Sequence, residues 1–485
     1  MAKQKEKKNV NKILTFKGAL CYGLGIFGIQ MLIGMLNSYQ SQFYTSILSA
    51  DLTICAVIIL VAKVISSFSD PIIGSIIDRS NFKSGKMKPF VAMSILPFAI
   101  LTTLMFIKIN FPNDILKYGY ITLTSILWNI AMSFADIPSQ GMLALLSPDS
   151  DEKSVAAGIS NTMKSIAVAA PTVIIPVVCI LTGSATIGTK EYLITAGFIS
   201  VLSIVLVGAM LKTSKEVVPS KPNDATFKAM FTELKNNKML LLTFLVYILG
   251  FGRNIAMNIA IQASAVLMKE VSINIGSISI ELAGENLSVL LGIGSGITSM
   301  ISIVLAPVVN KKLGTKKTYL VFGIYGAAVS VLFFCLYVFA GDIFRTVPAL
   351  IIMQFFIGFM FGTHGYTPMI MLSDTVDYTE MTTGRRSEGV QYAVLSLGVK
   401  LSNAFSVFAG VFIVGLSGYV GTMTSADITV HMQNVVISAY WLIPGICTFL
   451  SCIPVFFYKI DGEVKEQIRE FMAKKELVGT ISNEQ

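Results

Sequence analysis

Twelve runs of mostly apolar residues, each long enough to cross a bilayer, succeed one another along the chain. They lie at 18–46, 52–78, 88–109, 117–146, 155–182, 191–211, 239–266, 287–309, 318–340, 347–372, 387–416 and 434–458. About 20 such residues in helical form span the hydrocarbon core. Lipid offers no water to an open backbone, so each run has to close its hydrogen bonds within itself. Composition agrees: 54% of the residues are hydrophobic and 13% are charged, where a soluble chain carries about a quarter charged. The mean hydropathy is +0.71. The fold class predicted is an all-α membrane protein with twelve transmembrane helices.

The longest polar stretch between these runs, 212–238, leaves six before it and six after. The organisation predicted is an N-tail (1–17), a six-helix bundle (18–211), a central loop (212–238), a second six-helix bundle (239–458) and a C-tail (459–485) read as an amphipathic helix. GSIIDRSNFKSGKMK after the second run and APVVNKKLGTKKT after the eighth share a basic cluster and a glycine. That echo at a spacing of six spans suits a parallel repeat, although any short inside loop tends to be basic.

Charge gives the orientation. Of the 37 Lys and Arg, 28 fall in the two tails and every second loop, five on the opposite side, and four inside spans. Basic residues collect on the cytosolic side, so both termini are expected in the cytosol of a multi-pass protein of the inner or plasma membrane. The same distribution accounts for the net charge of +9 without nucleic acid. The six cysteines are scattered without a CxxC pair, and His364 and His431 are the only histidines, which gives a metal or haem site little support. No HExxH sequence or phosphate loop is present, so no catalytic residue, metal or cofactor is expected and the chain reads as a non-enzyme.

Six ionisable groups sit well inside spans: Lys63, Asp70, Asp136, Lys164, Arg253 and Lys400. Each costs about 2.5–3.5 kcal/mol at mid-bilayer if left facing lipid. They must face a wet or charge-paired interior. At 1.5 Å per residue, Asp70, Asp136 and Lys400 all lie roughly 12–18 Å from the cytosolic surface, so spans two, four and eleven can bring them into one layer between the bundles. Both acids precede a proline, in Asp70-Pro71 and Asp136-Ile137-Pro138. A proline within a helix frees the carbonyl four residues earlier. With Ser66, Ser67, Ser69 and Ser133 nearby, this gives an oxygen-rich site. Oxygen ligands suit a hard cation, and a lone acid in a dry site suits a proton. A salt-bridge set that merely fixes helix packing is the competing reading. Lys63, Lys164 and Arg253 either neutralise the acids or snorkel along cavity walls.

DPIIGSIIDRSNFKSGKMKPF, residues 70–90, resembles the D-P-x-x-G-x-x-x-D-R…G-[KR]-x-[KR]-P-[FW] signature of the glycoside–pentoside–hexuronide:cation symporter family of the major facilitator superfamily. YGLGIFGI (22–29), FADIPSQGMLALLSPD (134–149), LSDTVDYTEMTTGRRSEGVQYAVLSLGVKLSNAF (372–405) and FFYKIDGE (456–463) extend the resemblance over nearly the whole chain. The resemblance implies two six-helix bundles, a central sugar site, alternating access, and coupling to a proton or sodium. By position it makes Asp70 the main cation-site acid, with Ser66, Ser69 and Ser133 around it. Asp136 becomes a sugar-binding acid, Lys400 a lysine near the cation site, and Lys63 falls where the family has a basic residue. Asp78, Arg79, Arg385 and Glu388 fall in segments that help form the cytosolic gate.

Departures from the pattern narrow the expectation. Ser66 stands where sodium-using members have a second cation-site acid. Gln30 replaces a sugar-binding acid, Gln140 a stacking tryptophan, and Asn161 a span-five arginine, with Lys164 one turn on. Fewer anionic oxygens weaken a sodium site, which favours proton coupling through Asp70, or weak coupling. Gln30, Gln140, Asn161, Lys164 and Asp136 are the expected substrate contacts, and Lys400, Lys63 and Arg253 the charge-balancing groups. The expected function is cation-coupled symport of a glycoside, pentoside or related sugar, with that small-molecule solute and the lipid bilayer as partners. Two rivals are a carrier of an amphiphilic or lipid-like solute, suited to the 23 methionines, and a sensor or scaffold that binds without flux.

Overall fold

The computed structural model describes residues 14–80, 82, 84–147, 150–184, 186–217, 227–268, 271–275, 278–282, 284–384, 387–468 and 470–471. Twelve of its helical segments are long and apolar enough to cross a membrane. Their bounds follow the predicted runs to within a few residues at most ends.

The first bundle comprises α1 (Phe16–Ser46), α2 (Leu52–Arg79), α3 (Lys88–Met105), α4 (Asp114–Gly141), α5 (Ser150–Thr182) and α6 (Thr189–Thr213). A short helix of the central loop, α7 (Phe227–Asn236), follows. The second bundle is built from α8 (Lys238–Leu249), α9 (Ile255–Asn258), α10 (Ala260–Leu267), α11 (Ser288–Leu313), α12 (Thr315–Phe339), α13 (Val347–Thr383), α14 (Glu388–Leu416), α15 (Val430–Ile437) and α16 (Ile443–Phe456). The face where α1 begins and α16 ends is the tail face; the other is the far face.

Three departures from regular helix were not expected. The seventh span is interrupted by a 3-10 turn at Gly250–Asn254, which carries Arg253. The twelfth holds a π turn at Ser438–Leu442. α13 runs on to Thr383, 11 residues past the predicted apolar end at 372, because a helix that leaves the membrane keeps its own hydrogen bonds and stops here only at Gly384, a left-handed cap with φ +69°. Among the described residues the chain is otherwise helical apart from one antiparallel hairpin, β1 (Val271–Ile275) with β2 (Ile278–Leu282), paired Val271 to Leu282 and Ile275 to Ile278. The alternation VSINI and ISIEL around Gly276-Ser277 has the period of a strand.

The first bundle packs around an aromatic nest in which Phe43, Phe106 and Tyr192 meet with ring centroids 5.2–5.8 Å apart. α1 and α5 approach closely at Gly34, where a Cβ would fall within 2.5 Å of the Val168 carbonyl. Toward the far face the bundles share one core: Leu52, Ala56 and Ile59 of α2 pack in the same cluster as Val407, Val411 and Val414 of α14. Toward the tail face they do not. There Ile73, Ile77 and Phe90 cluster with side chains of the first bundle alone. The seam is therefore packed at one end and opens into a cavity at the other.

Candidate functional site

The lipid-facing stripe of α2 is read from its exposed residues, Val57, Val61, Ile65, Phe68, Ile72 and Ile76, which recur every three or four positions. Lys63 and Asp70 lie off that stripe and, seven residues apart, on one helical face, so α2 presents both to the protein interior.

A cavity of about 370 Å³ occupies the tail half of the seam. α2 contributes Ser67, Asp70 and Pro71, α4 contributes Asp136 and Gln140, and α14 contributes Ser396 and Lys400. Met230 of α7 closes one side. The three charged residues expected to share a layer do line one chamber. Lys400 forms an ion pair with Asp70 across the seam, with the two side chains 28% and 14% exposed. Such a pair loses most of its hydration, and it holds only while both partners are charged. Its other oxygen, Asp70 Oδ1, is buried without a hydrogen-bond donor. Pro71 cannot donate to Ser67, so the Ser67 carbonyl loses its helical partner at the cavity wall.

Asp136 is held differently. Gln30 Nε2 donates to its Oδ1 at 2.7 Å and Gln140 Nε2 to its Oδ2 at 2.7 Å. The carboxylate is satisfied by two neutral amides from α1 and α4 and contacts no cation among the described residues. Amides and a carboxylate in this arrangement can exchange their mutual bonds for those of a polyhydroxyl ligand.

The serines expected around Asp70 are committed elsewhere. Ser66 Oγ and Ser133 Oγ pair at 3.1 Å, and Ser69 Oγ donates to the Ser66 carbonyl at 2.8 Å. None of the three lines the cavity; Ser67 does. The reason is local, since buried hydroxyls on facing helices satisfy one another first. Lys63 Nζ donates to Asn37 Oδ1 of α1 at 3.2 Å. Arg253 donates to the His364 carbonyl at 2.5 Å, within the second bundle. Asn161 is exposed and Lys164 half-buried, and neither lines the cavity. Among the described residues, Lys400 is alone of the four intramembrane cations in contacting a carboxylate. Arg79 is exposed at the end of α2. Arg385 and the side chains of Asp78 and Glu388 lie outside the described residues.

Of the serines read as an oxygen-rich set, Ser67 alone reaches the cavity; sequence reasoning missed Ser396 and Met230 as its walls. It also missed a polar clasp at the far face, where Gln42 reaches Glu285 and Tyr419. The acid in AGENLSVL, at the mouth of the eighth span, was the available signal.

A paired acid and lysine between two six-helix bundles is an arrangement for moving a solute, and comparison with known proteins decides which kind. The family model for MFS/sugar transport protein matches residues 21–462. The chain belongs to this family. As a member of the sugar-transport group of the major facilitator superfamily, it is a multi-pass membrane carrier, not an enzyme. It is 22% identical over 471 residues to the isoprimeverose transporter of Lactiplantibacillus pentosus, with 96% of this chain and 93% of the relative covered. It is 23% identical over 488 residues to a glucuronide carrier protein homolog of Escherichia coli, covering 98% and 100%. The solved nucleoside transporter NupG superposes with a TM-score of 0.59 at 17% identity, covering 91% of this chain and 100% of that one. At that identity the superposition bears on the fold, which this sugar-transport family member shares.

Proposed function

We propose that the chain imports a sugar together with a proton by alternating access, with the tail face cytosolic and the protein in the cell membrane. The observation that carries this reading is the Asp70–Lys400 ion pair spanning the seam beside Asp136. Family membership and relatives named for sugar derivatives support the substrate class. The excess of basic residues at the tail face supports the orientation. The halves that move are residues 18–211 and 239–458, joined by 212–238.

Coupling follows from which charges are satisfied. With the site empty, Asp70 and Lys400 neutralise each other and the carrier can reset. A proton on Asp70 dissolves the pair and leaves the Lys400 ammonium without a counter-charge, a state costing several kcal/mol in a dry seam. Sugar then has to supply polar contacts to Lys400 and to the Gln30–Asp136–Gln140 set before the seam can close. Proton alone leaks poorly for the same reason. A proton is favoured over sodium because Ser66, Ser69 and Ser133 are bonded among themselves, which leaves Asp70 with few oxygen co-ligands for a hard cation. Asp78, Arg79, Arg385 and Glu388 are the proposed tail-face gate. Lys164 and Arg253 act at a distance, through the charge of the interior.

The test is uptake of a labelled sugar panel into proteoliposomes with pH and sodium gradients imposed separately. Accumulation driven by an inward proton gradient, lost in Asp70→Asn while sugar counterflow persists, is expected. Accumulation driven by sodium alone, or uphill uptake by Asp70→Asn, overturns the coupling scheme.

A further inference from the structure

A second cavity, of about 640 Å³, lies at the tail face of the second bundle, where α16 ends between the starts of α8 and α12. Lys238 lines it from α8, Lys316 and Lys317 from the first turn of α12, and Lys459 from the segment after α16. The acid in its wall is Asp461. A Cβ on Gly314 would lie 2.5 Å from Asp461 Oδ1. That carboxylate is therefore pressed against the turn before α12, as Glu216 is against Gly85 in the first bundle. Among the described residues none of the four lysines forms an ion pair.

Lys316 is fixed in place. Its Nζ donates to the Phe456 carbonyl at 2.8 Å and to the Tyr458 carbonyl at 2.9 Å, groups that the C-terminus of α16 cannot satisfy within itself. One of its three donors is left over. Lys238, Lys317 and Lys459 are exposed. Where the cluster sits decides what neutralises it. Phe449, Ile453 and Phe456 form an exposed stripe along α16, and Val321 and Ile324 are exposed on α12. Both lipid-facing surfaces run into the cavity, since Phe456 and Leu320 are in its wall and Phe457 forms an exposed lip. The lysines thus stand where hydrocarbon gives way to head groups. A small free anion would meet only the ammoniums; a lipid meets the ammoniums and the apolar wall together.

We propose that this cavity binds an anionic phospholipid of the tail-side leaflet. Lys317, Lys459 and the free donor of Lys316 hold the phosphodiester, and an acyl chain runs along Phe456 and the α16 stripe. Basic pockets between spans are suited to such head groups. Lys238 extends the same field to the start of α8. The lipid relieves the repulsion among the four ammoniums and so ties the starts of α8 and α12 to the end of α16. The site is separate from the sugar cavity and does not depend on how that cavity is read.

The full chain in a neutral detergent is titrated with dioctanoyl phosphatidylglycerol, dioctanoyl phosphatidylcholine and glycerol 3-phosphate, and the bound species are counted by native mass spectrometry. Phosphatidylglycerol should bind about tenfold or more tightly than the other two. A basic residue near the surface contributes roughly fivefold, so Lys317→Gln with Lys459→Gln should weaken phosphatidylglycerol by about 25-fold and leave phosphatidylcholine unchanged. The matched double change Lys212→Gln with Lys215→Gln, at exposed positions on the tail face of the first bundle, should have no effect. Should the first double variant fail to fold, a photoactivatable phosphatidylglycerol applied to the unaltered chain reports the site, with cross-links expected on Leu320, Phe456 or Phe457. Equal weakening by the two double variants would mean a diffuse attraction and overturns the site. Phosphatidylcholine binding as tightly as phosphatidylglycerol, the result expected if an acidic stretch of the C-tail fills the cavity, overturns it as well. So do glycerol 3-phosphate matching the lipid and cross-links confined to other spans.

Discussion

Gln42 of α1 donates its amide to Glu285 at 3.1 Å across the far end of the seam. Glu285 belongs to the turn Gly284–Leu287 at the head of the second bundle, and its other oxygen accepts the Ile187 N–H of the first bundle at 2.8 Å. Gln42 also donates to Tyr419 at 3.2 Å, and Gln262 donates to Ser41 beside them. One carboxylate thus holds both bundles together at the face opposite the tails. The far half of the seam can stay packed while the tail half encloses a cavity.

Glu285→Ala removes a charged acceptor from two hydrogen bonds. Each such bond contributes about 1.5–3 kcal/mol, so the closed far face should lose at least tenfold in population. The measurement is labelling of a cysteine introduced at Ser396, in a background lacking the six native cysteines, with an impermeant maleimide applied from the far side. Faster labelling in Glu285→Ala, with Glu285→Gln intermediate, is expected. Unchanged labelling would show that apolar packing alone closes that face.

The Asp70–Lys400 pair makes a prediction about stability that is separable from transport. Removing one partner of a buried pair strands the other charge and costs about 3–5 kcal/mol, whereas replacing both by apolar groups is often neutral. Lys400→Met and Asp70→Leu should each lower the thermal midpoint, and the double variant should recover most of the loss. Uphill sugar uptake should be absent in all three. A double variant less stable than either single change would place the side chains in separate networks.

The seam acids were legible in the sequence because a carboxylate beside a proline, deep in an apolar run, has few tolerable positions. The depth of Asp70, Asp136 and Lys400 followed from helical rise alone, and the structure places all three on one cavity. The serine set was not legible. Ser66 and Ser133 read as ligands when counted by proximity along the chain, but their partner is decided by how α2 crosses α4. The break in the seventh span at Gly250–Asn254 escaped for a similar reason: a glycine pair in an apolar run is tolerated in a helix as well as outside one. Glu285 lies at a span end, where an acid is unremarkable until the partner bundle is set against it.

Glu216, at the start of the central loop, clamps the basic turn after α2. Its carboxylate accepts the backbone N–H groups of Lys86 at 2.6 Å, Met87 at 2.9 Å and Lys88 at 2.7 Å. These are donors that the N-terminus of α3 cannot satisfy within itself. Gly85 has φ +119°, and a Cβ there would lie 2.7 Å from the Glu216 carboxyl carbon. Glu216→Ala should free the turn and speed tryptic cleavage after Lys86, applied to inside-out vesicles. Gly85→Ala should do the same by strain and by pushing the carboxylate away. Cleavage at the wild-type rate in both would mean that the turn is held by other contacts.

Helix contact in the second bundle gives the last prediction. Hydrophobic driving force is weak between helices in lipid, so close approach depends on small residues and the dispersion and polar contacts they allow. Gly358 and Gly362 of α13, one turn apart, face Ser295, Thr298, Ser299 and Ser302 of α11, and a Cβ on either glycine would collide with those residues. Ser299 Oγ donates to the Gly358 carbonyl at 3.1 Å and Ser302 Oγ to the Phe359 carbonyl at 2.8 Å, bonds that require the backbones to touch. Gly365, on the same helix, has nothing within 4 Å of its Cβ position. Gly358→Ala should therefore separate α11 from α13 and lower the thermal midpoint in detergent. Gly365→Ala should leave it unchanged or raise it slightly, since alanine is favoured over glycine in a helix by about 0.8–1.0 kcal/mol. The pair controls for helix propensity, which favours alanine at both sites. Equal shifts in the two variants would show that close contact of α11 with α13 contributes little to holding the bundle.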